Sequence, residues 1–533
     1  MPIRAPSPLA RTLVALAVAG AGAGCGGDSS SSLGQVGDPC ASASACERPL
    51  VCFEGACATE APASATCTTA GHAPAVVDGG VRTISQAAYD LCVDAIRAAN
   101  PGLDAVALGV HAVGTQLDFD IPPATASFSI VSQESPGTAV DTVTIQGFDF
   151  GNAPVPTDVR VPGGALFYDD MDSWFTDASR IDELNAYAFG FAPQVGAFTL
   201  PSTSAAIDRL YTTGGAQDGA WSFTVNDYAY ECVASELAPY CTAGASAAGD
   251  YDVTVVRKPG PITSTGTLDL TVTLVSQSVT RAQVLASDEF ARYVASLQRI
   301  FGQSGMCLGT VTLYEMPTWA ADRWWSVDVD DYGPCAELSQ LFTTSPDVNA
   351  VHVFLVDDLY SASSPPGSAV VGIDGSIPGP SGASGTIVSG VAVELANQLD
   401  PTTCPSAYDP VGCAPDFLAY VTAHEAGHWL GLFHTTEAYG ELWDPLEDTT
   451  PCVCSCAPPA FRDACSAGTP GGELEPADCT VEFGPMWSLA AAVVGAGCGG
   501  GDNLMFWLFQ DGVSVGNTSA EQGRVMRLNP AVH

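Results

Sequence analysis

Hydrophobic and polar positions alternate through the middle of the chain and then change period. From about 101 to 280, segments such as SFSIVS, DTVTIQ, YDVTVV and TLDLTVTLV carry an apolar residue at nearly every second position, with Gly- and Pro-containing turns between them. A period of two sends alternate side chains to opposite faces of a strand, so residues 101–280 are predicted to form an antiparallel β-sandwich. After 281 the spacing lengthens. SDEFARYVASLQRIFG sets its apolar residues three and four apart behind a Ser and ahead of a Gly, which predicts an amphipathic helix with a Ser N-cap and a Gly stop. NAVHVFLVDD is a continuous apolar run, expected of a strand covered on both faces, and its His352 reads as a core histidine rather than a ligand. VVGIDGSIPGPSGASGTIVSGVAVEL reads as a long loop feeding a strand, and DFLAYVTA returns to helical spacing through Phe417, Leu418 and Val421. The pattern predicts a multidomain chain in which an α/β (α+β) domain over 281–533 follows the β-sandwich.

The last of these helices runs straight into HEAGHWLGLFH, residues 424–434, which holds three of the chain's seven histidines. Finding Glu, His, Gly and His by chance at the required offsets is on the order of one in 10^5. On a helix His424 and His428 stand one turn apart on the same face, where two imidazoles can grip one ion. Glu425 lies about 100° round the axis, beside such an ion rather than on it. Gly431 suits a helix end in a left-handed conformation, after which the chain can turn back and bring His434 to a third corner. Three imidazoles leave the fourth tetrahedral position of Zn²⁺ open, the mark of a catalytic rather than a structural site.

H-E-x-x-H-x-x-G-x-x-H is the extended zinc signature of the metzincin metallopeptidases, and HEAGHWLGLFHT most resembles their pappalysin group. The resemblance covers roughly residues 281–533 and implies a zinc endopeptidase with protein or peptide substrates. It places His424, His428 and His434 on Zn²⁺, Glu425 as general base, and Met505 of NLMFW at the methionine that floors the site. It also makes the loop ahead of VAVEL the feeder of a strand bordering the substrate cleft. DPLEDTTP resembles the family's Asp-rich element and suggests a Ca²⁺ site at Asp444, Asp448 and Thr449. Two positions depart from the pattern. Phe506 and Trp507 stand where the resemblance has Asp and Tyr, so Trp507 is expected to shape the substrate pocket without supplying the phenol, and catalysis is expected to be slower.

Charge narrows the partners. The formal net charge is −42, from 59 acidic and 17 basic residues, and Lys258 is the one lysine. Such a surface excludes nucleic acid, whose phosphates need basic patches. Acidic clusters at 328–332 and 357–358 are further sources of oxygen ligands for Ca²⁺. Hydrophobic residues make up 47% of the chain, which excludes a mainly disordered one.

The amino terminus reads as an address. Residues 1–24 place Arg4 and Arg11 before an apolar run too short to span a bilayer, and Cys25 with GGDSSSS behind it looks like a lipoprotein's acylated cysteine and a tether over 25–39. Cleavage after Ala23 is the competing expectation. The chain has 19 cysteines, and setting Cys25 aside leaves 18, an even number suited to disulfides in an oxidising compartment. Cys40, Cys46, Cys52 and Cys57 read as a small disulfide knot over 40–60, followed by a linker and helix over 61–100 with Cys67 and Cys92 expected to pair. Cys232 is expected to pair with Cys241, and the six cysteines between 452 and 498 with one another. The expectation is an exported, lipid-anchored zinc endopeptidase that meets the membrane only through its lipid. The alternative is a metzincin-like surface protein retained for binding or adhesion, with its chemistry weakened at Phe506 and Trp507. For residues 101–280 a pro-region, a spacer and a binding module all remain open.

Overall fold

A computed structural model describes residues 73–89, 96–135, 153–168, 194–228, 249–331, 335–361, 370–395, 404–435, 444–449, 502–507 and 516–533, with a few short strands and single residues between them; all fall within one unit, Gly34–His533. The signal segment, Cys25 and its tether, Cys40, Cys46, Cys67, Cys92 and the six cysteines from 452 to 498 lie outside the described residues. Two hairpins, Leu50–Phe53 with Ala56–Thr59 and Tyr230–Ala234 with Pro239–Ala243, set Cys52 opposite Cys57 and Cys232 opposite Cys241 in register.

Much of the alternating region forms two four-stranded antiparallel sheets, but DTVTIQ joins neither: its Val143–Ile145 pairs with Phe148–Phe150 in a separate hairpin. The strands used below are β1 (Ala75–Val81), β2 (Asp104–Ala112), β3 (Gln116–Ile121), β4 (Thr125–Glu134), β5 (Ala153–Arg160), β6 (Leu166–Tyr168), β7 (Val195–Thr199), β8 (Gly219–Tyr228) and β9 (Asp250–Pro259). One sheet has the order β6-β5-β8-β3 and the other β7-β4-β9-β2. SFSIVS and YDVTVV meet directly, with Val255 opposite Ile130. The sheets touch through rings: Phe128 of β4 meets Phe119 of β3 edge-on at 5.3 Å and Trp221 of β8 at 5.0 Å. Each edge-on contact adds about 0.5–1.5 kcal/mol beyond the area it buries.

TLDLTVTLV does not join them. It is β10 (Gly266–Val275), a central strand of a six-stranded sheet with β11 (Met306–Glu315), β12 (Val351–Val356), β13 (Gly372–Asp374) and β14 (Val391–Glu394), in the order β13-β14-β12-β10-β11-β1. The change of pattern at 280 is therefore not a structural boundary, and 75–81, expected in a linker, is an edge strand. The alternation misleads because two of its polar positions, both threonines, are buried rather than facing water. Thr271 and Thr273 are buried, and Thr271 Oγ1 lies 2.7 Å from Nδ1 of His352 on β12. Five strands run parallel and β13 runs antiparallel to β14. His352 is a core histidine, its Nε2 2.8 Å from Ser384 Oγ, and burial lowers its pKa to about 3.

Three helices complete the frame for the site. First is α1 (Ser204–Thr213). Helix α2 (Asp288–Gln303) is capped by Ser287 and buries Phe290, Tyr293, Leu297 and Ile300, the expected stripe, but it runs past Gly302 and turns at Gly305, where φ is +75°. Helix α3 (Ala414–Trp429) packs on α2, β13 and β14. It begins at Cys413, bridged to Cys404 with a Cα separation of 4.9 Å, and Cys307 and Cys335 are also disulfide-bonded. One apolar core joins residues of the antiparallel sheets, such as Phe128, with Leu268, Leu297 and Leu418 of the α/β part. No described helix is long and apolar enough to cross a membrane.

A buried ion pair fixes α3 against α2. Asp416 accepts from Arg292 Nε at 2.7 Å and Nη2 at 2.6 Å, and also from Ser296 Oγ and the Asp409 amide. Burial pushes the Asp416 carboxyl up, but these hydrogen bonds outweigh it and hold the pKa below the ordinary carboxylate value. A depressed folded pKa gives stability that is present above the unfolded pKa and lost as pH falls through the folded one. Arg292→Ala leaves a buried carboxylate with only Ser296 and the Asp409 amide as donors, so denaturant unfolding near pH 7 should show a loss of about 1–3 kcal/mol, shrinking on acidification as Asp416 protonates.

Candidate active site

Helix α3 places His424 and His428 on one face, and Gly431, at φ +111°, turns the chain so that His434 comes back to them. The three Nε2 atoms then lie 3.0–3.2 Å apart. Nδ1 of His424 is 2.6 Å from Leu504 O, and Nδ1 of His428 is 2.7 Å from Leu432 O. A carbonyl oxygen only accepts, so both rings carry their proton on Nδ1 and turn an Nε2 lone pair towards a common point. Burial lowers the pKa of His424 to about 3 and that of His428 well below the ordinary value, with the charge of His434 adding to both. Neutral imidazoles gathered this way are a ligand set. Ligands at about 2.0–2.1 Å around a tetrahedral ion sit about 3.3 Å apart, close to the spacing found here.

Met505 lies beneath the helix, fully buried, where Gly427 leaves room: a Cβ there would come within 2.7 Å of Sδ. The same segment fixes the ligands from behind. Leu504 O holds His424, Met505 O accepts from the amide of Thr435 next to His434, and Asn503 Oδ1 accepts from the amide of Met505.

Glu425 and the three histidines share the wall of a cavity of about 310 Å³ that is also lined by Gly372, Asp374, Tyr420, Val421, Trp507 and Phe509. Trp507 thus lines the cavity, while Phe506, also on its wall, is buried. The strand bordering the cavity is β13, the sheet edge; the VAVEL strand, β14, is one place further in. The continuation of β13, Ser376–Ile377, pairs with Phe189–Gly190, so the open edge is short.

The pattern of residues did not point to Asp374. It ends β13, and its carboxylate, a carboxylate oxygen of Glu425 and a ring nitrogen of His428 lie within 4.8 Å of one another. Burial raises the Asp374 carboxyl to about 7, and burial, then the charge of Asp374, raises Glu425 well above its ordinary value. A single Asp in GIDGS, among glycines and prolines, gives no periodic or spacing signal.

The expected Ca²⁺ position finds no support. Asp444 accepts from the Leu446 amide within its own turn at 3.1 Å, and Thr449 Oγ1 donates to Leu446 O. Asp448 accepts from the Glu521 amide in the first turn of α4 (Ala520–Leu528), as a cap would. Burial raises the Asp444 carboxyl to about 8. Among the described residues, metal-ligating side chains gather only at His424, His428 and His434 and at Asp374, Glu425 and His428.

No family model matches the chain. No curated protein matches it either. Among solved structures it is similar to an archaemetzincin from Methanopyrus kandleri, at 16% identity and a TM-score of 0.21, over 32% of this chain and 78% of that one. It is also similar to a metalloproteinase-II from Bacteroides fragilis, at 10% identity and a TM-score of 0.18, over 62% and 83% of the two chains. Likeness at this level carries no weight for function; the geometry of the site does.

Proposed function

We propose that the chain is an exported zinc endopeptidase of metzincin type, most like the pappalysin group. The convergence of three Nε2 atoms to within 3.2 Å on the wall of a cavity that also holds Glu425 carries this reading. His424, His428 and His434 would hold the ion. Zn²⁺ bound there would supply Lewis-acid polarisation of the scissile carbonyl and a water acidified to a pKa of about 7. The outer edge of β13 offers main-chain groups to an extended peptide, which would be held by strand addition. Glu425 accepts the attacking water's proton and passes it to the leaving amine. Tyr420, Trp507 and Phe509 keep the site apolar around these groups. Cleavage of a peptide library by the purified chain, abolished by a zinc chelator and restored by zinc, is the expected result; no cleavage under any metal condition would remove the peptidase reading.

Asp374 tunes this base. Burial and then the charge of Asp374 raise the Glu425 carboxyl, which works as a carboxylate, so removing that charge in Asp374→Asn should shift the acid limb of the kcat/KM–pH profile to a more acidic pH. An acid limb that stays in place would show that the two carboxyls do not act on each other.

A lipid on Cys25 would tether the enzyme to the envelope, a reading supported by the apolar run before it and the Ser-rich stretch after it. Intact mass of the mature protein should show diacylglyceryl-Cys25 at its amino terminus. A mature chain beginning at Gly24 with Cys25 unmodified would make the protein freely secreted.

A further inference from the structure

The carbonyl of Leu430, at the end of the helix that carries His424 and His428, is held from 99 residues away by the buried side chain of Asn529. Asn529 Nδ2 donates to Leu430 O at 3.2 Å, while its Oδ1 accepts from Ser381 Oγ at 2.7 Å and from the Ala531 amide at 2.9 Å. Both ends of the amide are therefore committed, and its orientation is fixed. Leu430 O is one of the last carbonyls of α3, which lack helical partners. The next residue is Gly431, the turn that swings the chain round to His434, and a Cβ there would lie 3.3 Å from Val525 of α4.

The segment around Asn529 is itself gripped by one of the antiparallel sheets, the one that holds β4 and β9. The one lysine of the chain, Lys258 on β9, sends its Nζ inward to the carbonyls of Arg527 (2.5 Å), Asn529 (3.5 Å) and Val532. Ser127 of β4 donates to Leu528 O, the preceding carbonyl. Beyond them Val532 bridges to Leu268 on β10, and His533 exchanges backbone hydrogen bonds with Thr267. The path from β9 through Asn529 to the end of the zinc helix is continuous.

We infer that Asn529 is a positioning residue for the third metal ligand, His434, and that Lys258 holds Asn529 in place. The antiparallel sheets are then part of the scaffold of the metal site, not a pro-region to be removed. This inference rests on the proposed zinc site. Groups bonded directly to a ligand set its orientation, and losing one typically weakens metal affinity about 10–100-fold; Asn529 acts one step further out, through the turn that carries His434, so its loss should sit at or below the lower end of that range.

The test is zinc affinity of the full chain, measured by competition with a chromophoric chelator, beside thermal unfolding. Asn529→Asp keeps the shape and the acceptors but loses the donor to Leu430. It and Asn529→Ala are expected to bind zinc up to about 10-fold more weakly, the lower end of the effect of losing a partner bonded to a ligand. Lys258→Met should weaken zinc in the same direction by a smaller factor. Ser129→Ala, which removes a buried hydroxyl of β4 bonded to Thr199 and Phe198, should lower the unfolding temperature and leave zinc affinity unchanged. Folded Asn529→Asp or Lys258→Met with wild-type zinc affinity would overturn the inference, as would an equal loss in Ser129→Ala. Wild type without stoichiometric zinc would overturn it together with the peptidase reading, so the two failures are told apart by the wild-type arm alone.

Discussion

Glu425→Ala is expected to keep one zinc per chain and its fold while peptide cleavage falls by about 10²–10⁴-fold, the usual contribution of a positioned general base. Glu425 stands beside the three converging nitrogens, not among them, and its carboxylate lies against β13, where a Cβ on Gly372 would come within 2.5 Å of Oε1. The side chain is thus placed between the metal ligands and the edge to which a peptide would add. Because alanine leaves a void there, Glu425→Gln serves as the shape-matched companion, and both should lose activity alike. If wild type and Glu425→Ala hold zinc equally and are equally inactive on folded and unfolded substrates, the peptidase reading fails. A surface-binding protein on the same scaffold would take its place.

His428→Ala is expected to behave in the opposite way, losing the metal first. His428 Nε2 lies 3.2 Å from that of His424 and 3.0 Å from that of His434, so it closes the triangle. Two imidazoles and water make a poor site for an ion whose binding is coupled to ligand preorganisation. Zinc content after dialysis against a weak chelator should fall from one per chain to near none, and cleavage should vanish with it. Retention of one zinc per chain in His428→Ala would show that the ion is held elsewhere, with Asp374 as the nearest other carboxylate to examine.

The clustering of the three histidines was legible in the sequence because their geometry is local. Four residues make one turn of helix, a glycine makes the return, and no distant contact is needed to bring His424, His428 and His434 together. The α2 stripe was legible for the same reason, although its stop was placed three residues early, since Gly302 was read as the cap that Gly305 provides. The assignment of TLDLTVTLV to the antiparallel region failed because a threonine buried with a hydrogen-bond partner looks, in sequence, like one facing water. The Ca²⁺ expectation came from a resemblance of short acidic words and finds no support at Asp444, Asp448 and Thr449, where Asp448 Oδ2 accepts from the Glu521 amide.

What the sequence determined by itself is which three histidines come together and the carboxylate beside them, since each depends on neighbours within eleven residues. The tertiary structure decided which groups hold those ligands from behind and which acid faces the base. Leu504 O reaches His424 across 80 residues, Asn529 reaches Leu430 across 99, and Asp374 arrives on a strand whose place at the sheet edge depends on β14. These are backbone carbonyls, a buried amide and an isolated carboxyl, groups with no periodicity to betray them. They acquire a role only when burial removes water and obliges each donor and acceptor to find its partner in the fold.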